Sequence, residues 1–421
     1  MQIIMNVKKF NNYFFIYLSL LFFFGIFWLY IKHNVGNDST ISEWFINYQG
    51  GFTRRGLTGE ICFQIAKYFD LSLRFVIFLF QSFIYSIFLI LIYRFFRNIP
   101  TNLIVILSIF TPIFLLYPVA EVEVLARKET FVFIAFLILL NISNSNYSSN
   151  LPLCYIFFIL PIICLIWEPV VFFFPFIASV LIIRLGNDQT IKLLGKIIIC
   201  FSPALVVVAI IAINPISPEN HLIMGNSLKE NFNEDCYMSC SMLLSKSSII
   251  SQFKGSYELY ILHPEVLLRY FLIILIGFGP IFLLSFNSKL KIKFLFFKHF
   301  INLFYPILII LSPVLILFAA MTDWGRIVNI SYTFTVLFYF YLFKNNLLEV
   351  NLDKITKKIS FFDNKKALLI LCFIIYAFGW SPQTGMTGDV SSIPGYRIPY
   401  KSFKMLYYQI NNNRIILLPS S

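Results

Sequence analysis

Residues 10–31 read FNNYFFIYLSLLFFFGIFWLYI, a stretch with no charge between Lys9 and Lys32. A helix needs about twenty predominantly apolar residues to cross the hydrocarbon of a bilayer, and this stretch supplies them. Lys8 and Lys9 in front of it resemble the start of a secretory signal. The run is too long for a signal's apolar core, however, and Lys32-His33-Asn34 offers no small-residue cleavage site. It is therefore read as a retained first span. Comparable runs follow at 71–93, 101–119, 129–141, 152–167, 169–184, 196–213, 266–286, 300–320, 327–343 and 367–380. The expected fold is all-α and integral to the membrane, a polytopic bundle of about eleven transmembrane helices.

Composition supports this reading. Of 421 residues, 59% are hydrophobic and 13% charged, with a mean hydropathy of +0.80. A soluble domain carries about twice that share of charge. The 51 phenylalanines and 23 tyrosines raise the aromatic share to 19%, which suits hydrocarbon bounded by aromatic belts. The bias towards Phe, Ile, Asn and Lys points to an A/T-rich coding region and a bacterial source. A soluble enzyme is excluded, and no nucleic-acid partner is expected.

Two hairpins stand apart. The 129–141 run is short, so 101–141 is either two crossings or a re-entrant pair. The 152–184 block is broken by Trp167-Glu168-Pro169, a glutamate and proline that suit a turn at the membrane surface. Either way both hairpins return the chain to the side it left. Basic residues concentrate in the segments 287–299 (Lys289, Lys291, Lys293, Lys298) and 344–366 (Lys344, Lys354, Lys357, Lys358, Lys365, Lys366). Lys8, Lys9, Arg94, Arg97, Arg184, Lys192 and Lys196 fall on the same side, which the positive-inside rule makes cytoplasmic. The N-terminus is then inside and the C-terminus outside a bacterial cytoplasmic (inner) membrane. Neither an internal repeat nor a low-complexity linker divides residues 1–421. One transmembrane domain is expected, with outer loops 32–70 and 214–265 and an external tail 381–421.

Cys62, Cys154, Cys164, Cys200 and Cys372 lie in or beside spans and read as packing residues. Cys236 and Cys240 sit in the second long outer loop, where a disulfide and free thiols are both open. With no histidine pair nearby in the sequence, no metal is expected, and no cofactor either.

Ionisable residues beside hydrocarbon are costly and invite a functional explanation. They gather in turns that the threading assigns to the outer face. The first outer loop carries Asp38, Glu43 and Glu60 around Gly50-Gly51-Phe52-Thr53-Arg54-Arg55-Gly56. The next carries Glu121, Glu123, Arg127, Lys128 and Glu129. Glu168, His263 and the pair Asp323 and Arg326 complete the set. Guanidinium groups stay charged and grip phosphates bidentately, so Arg54 and Arg55 suit a lipid diphosphate, with Gly50, Gly51, Gly56 and Gly59 keeping space around them. The competing reading is that the arginines snorkel to lipid headgroups. Arg127, Lys128 and Arg326 are further phosphate-binding candidates, and Asp323 and Arg326 also suit a simple i,i+3 pair. His263 reads as an interfacial residue.

This mixture suits glycosyl transfer from a polyprenyl-phosphate or polyprenyl-diphosphate donor. The leaving group is already an anion and needs cations, while the acceptor hydroxyl needs a carboxylate base. Glu43 is ranked first for that base: a helix over 41–50 would put Glu43, Asn47 and Gly50 on one face. Asp38 is ranked second, and Glu60, Glu121, Glu123, Glu168 and Asp323 are supporting groups.

In layout the chain resembles the bacterial O-antigen and capsule repeat-unit polymerases, with many Phe- and Ile-rich spans, a large outer loop in the second half and outer-face arginines. It is also similar to the GT-C membrane glycosyltransferases, whose first outer loop carries an acidic catalytic residue where Asp38 and Glu43 stand here. The resemblance implies a GT-C-like bundle and a polyprenyl-diphosphate-linked glycan substrate used among membrane lipids, with a chain-length regulator as partner. A flippase would need charges lining a cavity along several spans, and an acyltransferase a histidine beside an acid. An ion-coupled transporter would show broken helices with midplane polar groups in two related halves. These patterns are not evident in the sequence.

Overall fold

The computed structural model describes residues 7–34, 39–144, 147–186, 190–244, 249–292, 295–350 and 366–385. Asp38, Lys293, Lys354, Lys357, Lys358, Lys365 and most of the 381–421 tail lie outside the described residues.

In hydrocarbon every backbone polar group must find a partner within the protein, and a helix achieves this within one segment. The apolar runs accordingly form helices. Six are long and apolar enough to cross a membrane: Val7–Asn34, Leu73–Phe96, Glu168–Leu185, Lys192–Ile213, Val266–Phe286 and Trp324–Lys344. Glu129–Ile142, Leu151–Ile166, Phe304–Ala320 and Ala367–Phe378 are shorter apolar helices. Large side chains such as Phe23, Phe83, Phe271 and Leu315 stay exposed on the flanks, as a surface facing lipid requires.

The Trp324–Lys344 helix lies at the centre. It is the least apolar of the six, yet 89% of its apolar window is buried, against 50% or less in the others. Protein rather than lipid surrounds it, which is why Asn329, Ser331, Thr333 and Thr335 are accommodated there. Phe334 packs against Phe136, Phe173 and Phe176 with ring centroids 4.7, 4.7 and 5.4 Å away. Lipid tails are as apolar as these rings, so close packing and polar contacts, not expulsion from water, hold such a helix in place.

One expected span is not a continuous helix. The run 101–119 forms Leu103–Ile109, capped by Asn102, and then breaks. Thr111-Pro112 opens the break, where proline has no N–H to continue a helix. The exposed carbonyls find partners on the central helix: Asn329 Nδ2 donates to Ile113 O at 2.8 Å and to Phe114 O at 2.9 Å. Tyr332 donates its hydroxyl to Ser108 O at 2.6 Å. Irregular backbone at this depth is tolerated because protein satisfies it.

Side-chain contacts sort the loops onto two ends. At one end Asn11 pairs with Asn98, Lys344 donates to Phe95 O, and Tyr341 donates to Ser143 O. The strands Ser288–Leu290 and Leu348–Val350 pair antiparallel there. At the other end Ser39 and Thr40 donate to the carbonyls of Glu123 and Val122, and Arg55 binds Glu168. The 101–141 and 152–184 hairpins each run from one of these ends to the other and back. These contacts place Arg94, Arg97, Arg184, Lys289 and Lys344 together, as the sequence reading has them.

The helix envisaged over 41–50 does not form. The chain makes a short helix at Ser39–Ser42, a 3-10 turn at Glu43–Phe45, and then extends at Ile46 with φ −65° and ψ 114°. The reason is a close approach: a Cβ on Gly59 would sit 1.9 Å from Ile46 O and 2.5 Å from Trp44 O. The Gly56–Tyr68 helix lies directly on the extended backbone, and only glycine allows that contact.

Candidate functional site

The 3-10 turn sets the site's geometry. Trp44, Phe45 and Ile46 are buried in a satellite core with Phe63, Ile77 and Leu228. Anchoring these three commits Glu43 to the protein interior, where it is fully buried. An isolated carboxylate there would be prohibitive, so it must be paired. Arg127 Nε donates to Glu43 Oε2 at 2.8 Å, and Arg55 Nη1 to Oε1 at 3.4 Å. Arg326 Nη2 lies 4.0 Å from Oε1.

Each arginine leads to a further acid. Arg55 grips Glu168 with three bonds, Nε to Oε1 at 3.1 Å, Nε to Oε2 at 2.8 Å and Nη2 to Oε1 at 2.8 Å. Arg326 donates Nε to Glu129 and Nη1 to Asp323 Oδ2, the latter at 3.4 Å. Lys128 donates Nζ to Arg55 O. Arg127, Lys128, Glu129 and Arg326 are all buried. Segments far apart in sequence thus build one network around Glu43, five cations against four carboxylates when Arg54 is included.

The electrostatics follow from the packing. Burial pushes the Glu43 carboxyl up, but Arg127, Arg326, Arg55 and Lys128 together outweigh it and hold it below the usual carboxylate range. Burial pushes the Lys128 ammonium down to about 8, with Glu43 opposing the shift and Arg55 adding to it. Arg54 is half-buried and makes no ion pair among the described residues.

Two non-glycine residues here adopt left-handed backbone, Arg55 with φ 62° and Ala126 with φ 49°. Such residues cost about 1–3 kcal/mol each and tend to persist where function requires them. Several buried polar atoms in these segments also have no hydrogen-bond partner: Thr53 Oγ1, Trp167 Nε1, Glu129 Oε2 and Arg326 Nη2. Buried polar atoms are nearly always satisfied, so a group of them in one region is informative.

The other candidates fall elsewhere. Glu60 accepts from Tyr48 N, Gln49 Nε2 and Gln64 Nε2 at 2.8, 2.8 and 2.7 Å, tying down the turn before the arginines. Glu121 is buried and accepts from Thr384 N and Oγ1, both at 3.3 Å. Glu123 is exposed, and Asp38 lies outside the described residues. The four glycines do not clear space around the arginines. Gly50 abuts the Asn220 carbonyl, Gly56 the Tyr48 ring and Gly59 the extended segment at Ile46, so these three serve close packing, while Gly51 supplies a turn with φ 101°.

Tyr117 and Thr384 were not singled out from the sequence. Their hydroxyls lie 3.2 Å apart beside Glu121, and Tyr270 donates to the neighbouring Gln383 O at 3.0 Å. Tyr117-Pro118 at the end of an apolar run reads as an interfacial aromatic, which gave no sign of this contact. Cys236 and Cys240 form a disulfide, with His221 Nε2 3.3 Å from Cys236 Sγ. Metals bind thiolates, so the bonded sulfurs and His221 do not form a ligand set.

No curated protein and no solved structure matches the chain. Residues 14–221, which contain most of this network, are similar to a sequence family described as uncharacterised membrane protein Rv1490. Composition, helix lengths and this similarity agree that the chain is an integral membrane protein of all-α build.

Proposed function

We propose that the protein is a glycosyltransferase of the polysaccharide-polymerase type, using polyprenyl-(di)phosphate-linked sugars or repeat units. It works at the outer face of a bacterial cytoplasmic membrane, in O-antigen or capsule synthesis. Its chain crosses eleven times, with the N-terminus inside and the C-terminus outside. The observation that carries the reading is the buried Glu43 network with Arg54 beside it, a half-buried cation that feels Glu168 only at a distance while Arg55 holds that carboxylate. Fixed cations in a water-poor site are what a departing lipid diphosphate needs.

Within this reading the roles divide by exposure. Glu43 is buried with both oxygens engaged, so it positions Arg127 and Arg55 instead of meeting an acceptor. Arg54 receives the donor phosphates, supported by Arg55, Lys128, Arg127 and Arg326, which the surrounding carboxylates hold in place. Asp323 has a side chain 35% exposed and only a 3.4 Å contact to Arg326, which leaves it able to act as base. The acceptor hydroxyl oxygen bonds to the anomeric carbon as the carbon–oxygen bond to the diphosphate breaks. The electron pair leaves with the phosphate oxygen, and the hydroxyl proton passes to Asp323.

The test supplies purified protein in liposomes with lipid-linked repeat units. A ladder of products supports a polymerase, and one added unit a simple transferase. Translocation without covalent change refutes the proposal in favour of a flippase. Asp323→Asn is expected to slow transfer at least about a hundredfold. Full activity in that variant with loss in Asp38→Asn would move the base to Asp38.

A further inference from the structure

The opposite end of the bundle holds a second polar site. A cavity of about 130 Å³ opens where the C-terminal turns of Leu73–Phe96, Glu129–Ile142 and Trp324–Lys344 converge. That is roughly ten times the ~10–15 Å³ that seats one water. Its apolar wall is Leu91, Phe95, Leu137 and Leu140, and its polar lining is Arg94, Asn141, Asn144, Tyr341, Lys344 and Asn345. The lining contains two cations and no carboxylate.

The two cations are differently held. Lys344 Nζ donates to Phe95 O at 2.8 Å and lies 5.0 Å from the centre of the Phe95 ring, which fixes it at the rim. Arg94 makes no ion pair among the described residues. Cations at helix C-termini do favour the local dipole, but that role needs neither a cavity nor the amides of Asn141 and Asn144, which line it beside an Asn345 amide that donates to Tyr341 O. A fixed ammonium, an unengaged guanidinium and amide donors beside an apolar wall match a phosphate that carries acyl chains.

We propose that this cavity binds the phosphate of an anionic phospholipid, with the headgroup between Arg94 and Lys344 and the acyl chains along Leu91, Leu137 and Leu140. The site is separate from the Glu43 network and does not depend on the reaction proposed there.

The test is native mass spectrometry of the full chain in detergent, titrated with phosphatidylglycerol or phosphatidylcholine. The wild type is expected to retain phosphatidylglycerol about thirtyfold better than phosphatidylcholine, about fivefold for each of the two basic contacts. Arg94→Gln removes an exposed side chain, so folding is preserved, and the preference should fall about fivefold. Lys289→Gln, at the same end but outside the cavity, should keep it. Equal retention of the two lipids overturns the proposal, as does an equal loss in Lys289→Gln, which would mean diffuse attraction. A thermal-stability arm with inorganic phosphate separates the two phosphate sources. Stabilisation by inorganic phosphate equal to that by phosphatidylglycerol would overturn the lipid assignment.

Discussion

Replacing Glu43 with glutamine isolates the charge at the centre of the network. Arg127, 5% exposed, takes its only carboxylate partner among the described residues from Glu43. Arg55 and Arg326 would keep Glu168 and Glu129. The substitution therefore strands one buried guanidinium, not three. Removing one member of a buried ion pair costs about 3–5 kcal/mol, and the amide oxygen that remains puts Glu43→Gln near the lower bound, about 3 kcal/mol. That is roughly a hundredfold in the unfolding equilibrium, at tenfold per about 1.4 kcal/mol. The assay is equilibrium unfolding in mixed micelles, run as a double-mutant cycle with Arg127→Met. Removing both charges should recover most of the loss, because a buried pair exchanged for apolar groups is often close to neutral. If Glu43→Gln unfolds with the wild type, or the double variant loses the sum of the single losses, Glu43 does not hold the network together.

Further expectations follow from the same geometry. Arg54→Ala should leave the melting temperature within about 1 °C, given the near-neutral effect of most unpaired surface changes, while donor KM rises at least about tenfold. Arg55→Ala should lower both stability and activity because it frees Glu168 and Glu43, and lysine should rescue it poorly for want of a planar fork. Gly59→Ala drives a Cβ to 1.9 Å from Ile46 O, and overpacking of this kind costs about 1–3 kcal/mol or more, read as a lower melting temperature. Lys128 titrates near 8 in the folded chain against an ordinary 10.5. Between those values the unfolded chain holds more protons, so this residue makes stability rise with pH there. Donor binding should weaken as pH rises through about 8, where the folded network loses this positive charge, and a flat donor KM from pH 7 to 9 would contradict it. Reporter fusions after Lys298 should read cytoplasmic and those after Gly255 external; the reverse would invert the proposed orientation.

The helices were legible because an apolar run of membrane length has few alternatives in either periodicity or composition. The break in 101–119 was less so. Thr111-Pro112 marks it locally, but what permits it is Asn329, more than two hundred residues away. The charged residues stood out against hydrocarbon, and Arg55, Arg127, Arg326 and Glu43 do meet. Their division of labour did not stand out, because burial depends on where Trp44 and Phe45 anchor, and sequence carries no distances. The glycines mislead for a related reason. Glycine signals a close approach without naming the neighbour, and here the neighbours are backbone carbonyls and a tyrosine ring rather than a ligand.

The dependence of the broken segment on Asn329 bears on how the chain is made. Residues 103–120 leave the ribosome long before residue 329 exists, so the carbonyls of Ile113 and Phe114 first meet the membrane without their eventual donors. Insertion of this region is then a two-stage event. A provisional placement of the broken turn is expected to precede its final seating against Asn329 of the Trp324–Lys344 helix. The centre is thus filled late, with the Ala367–Phe378 helix still to follow, and chains truncated before residue 324 should present residues 110–116 to quality-control proteases.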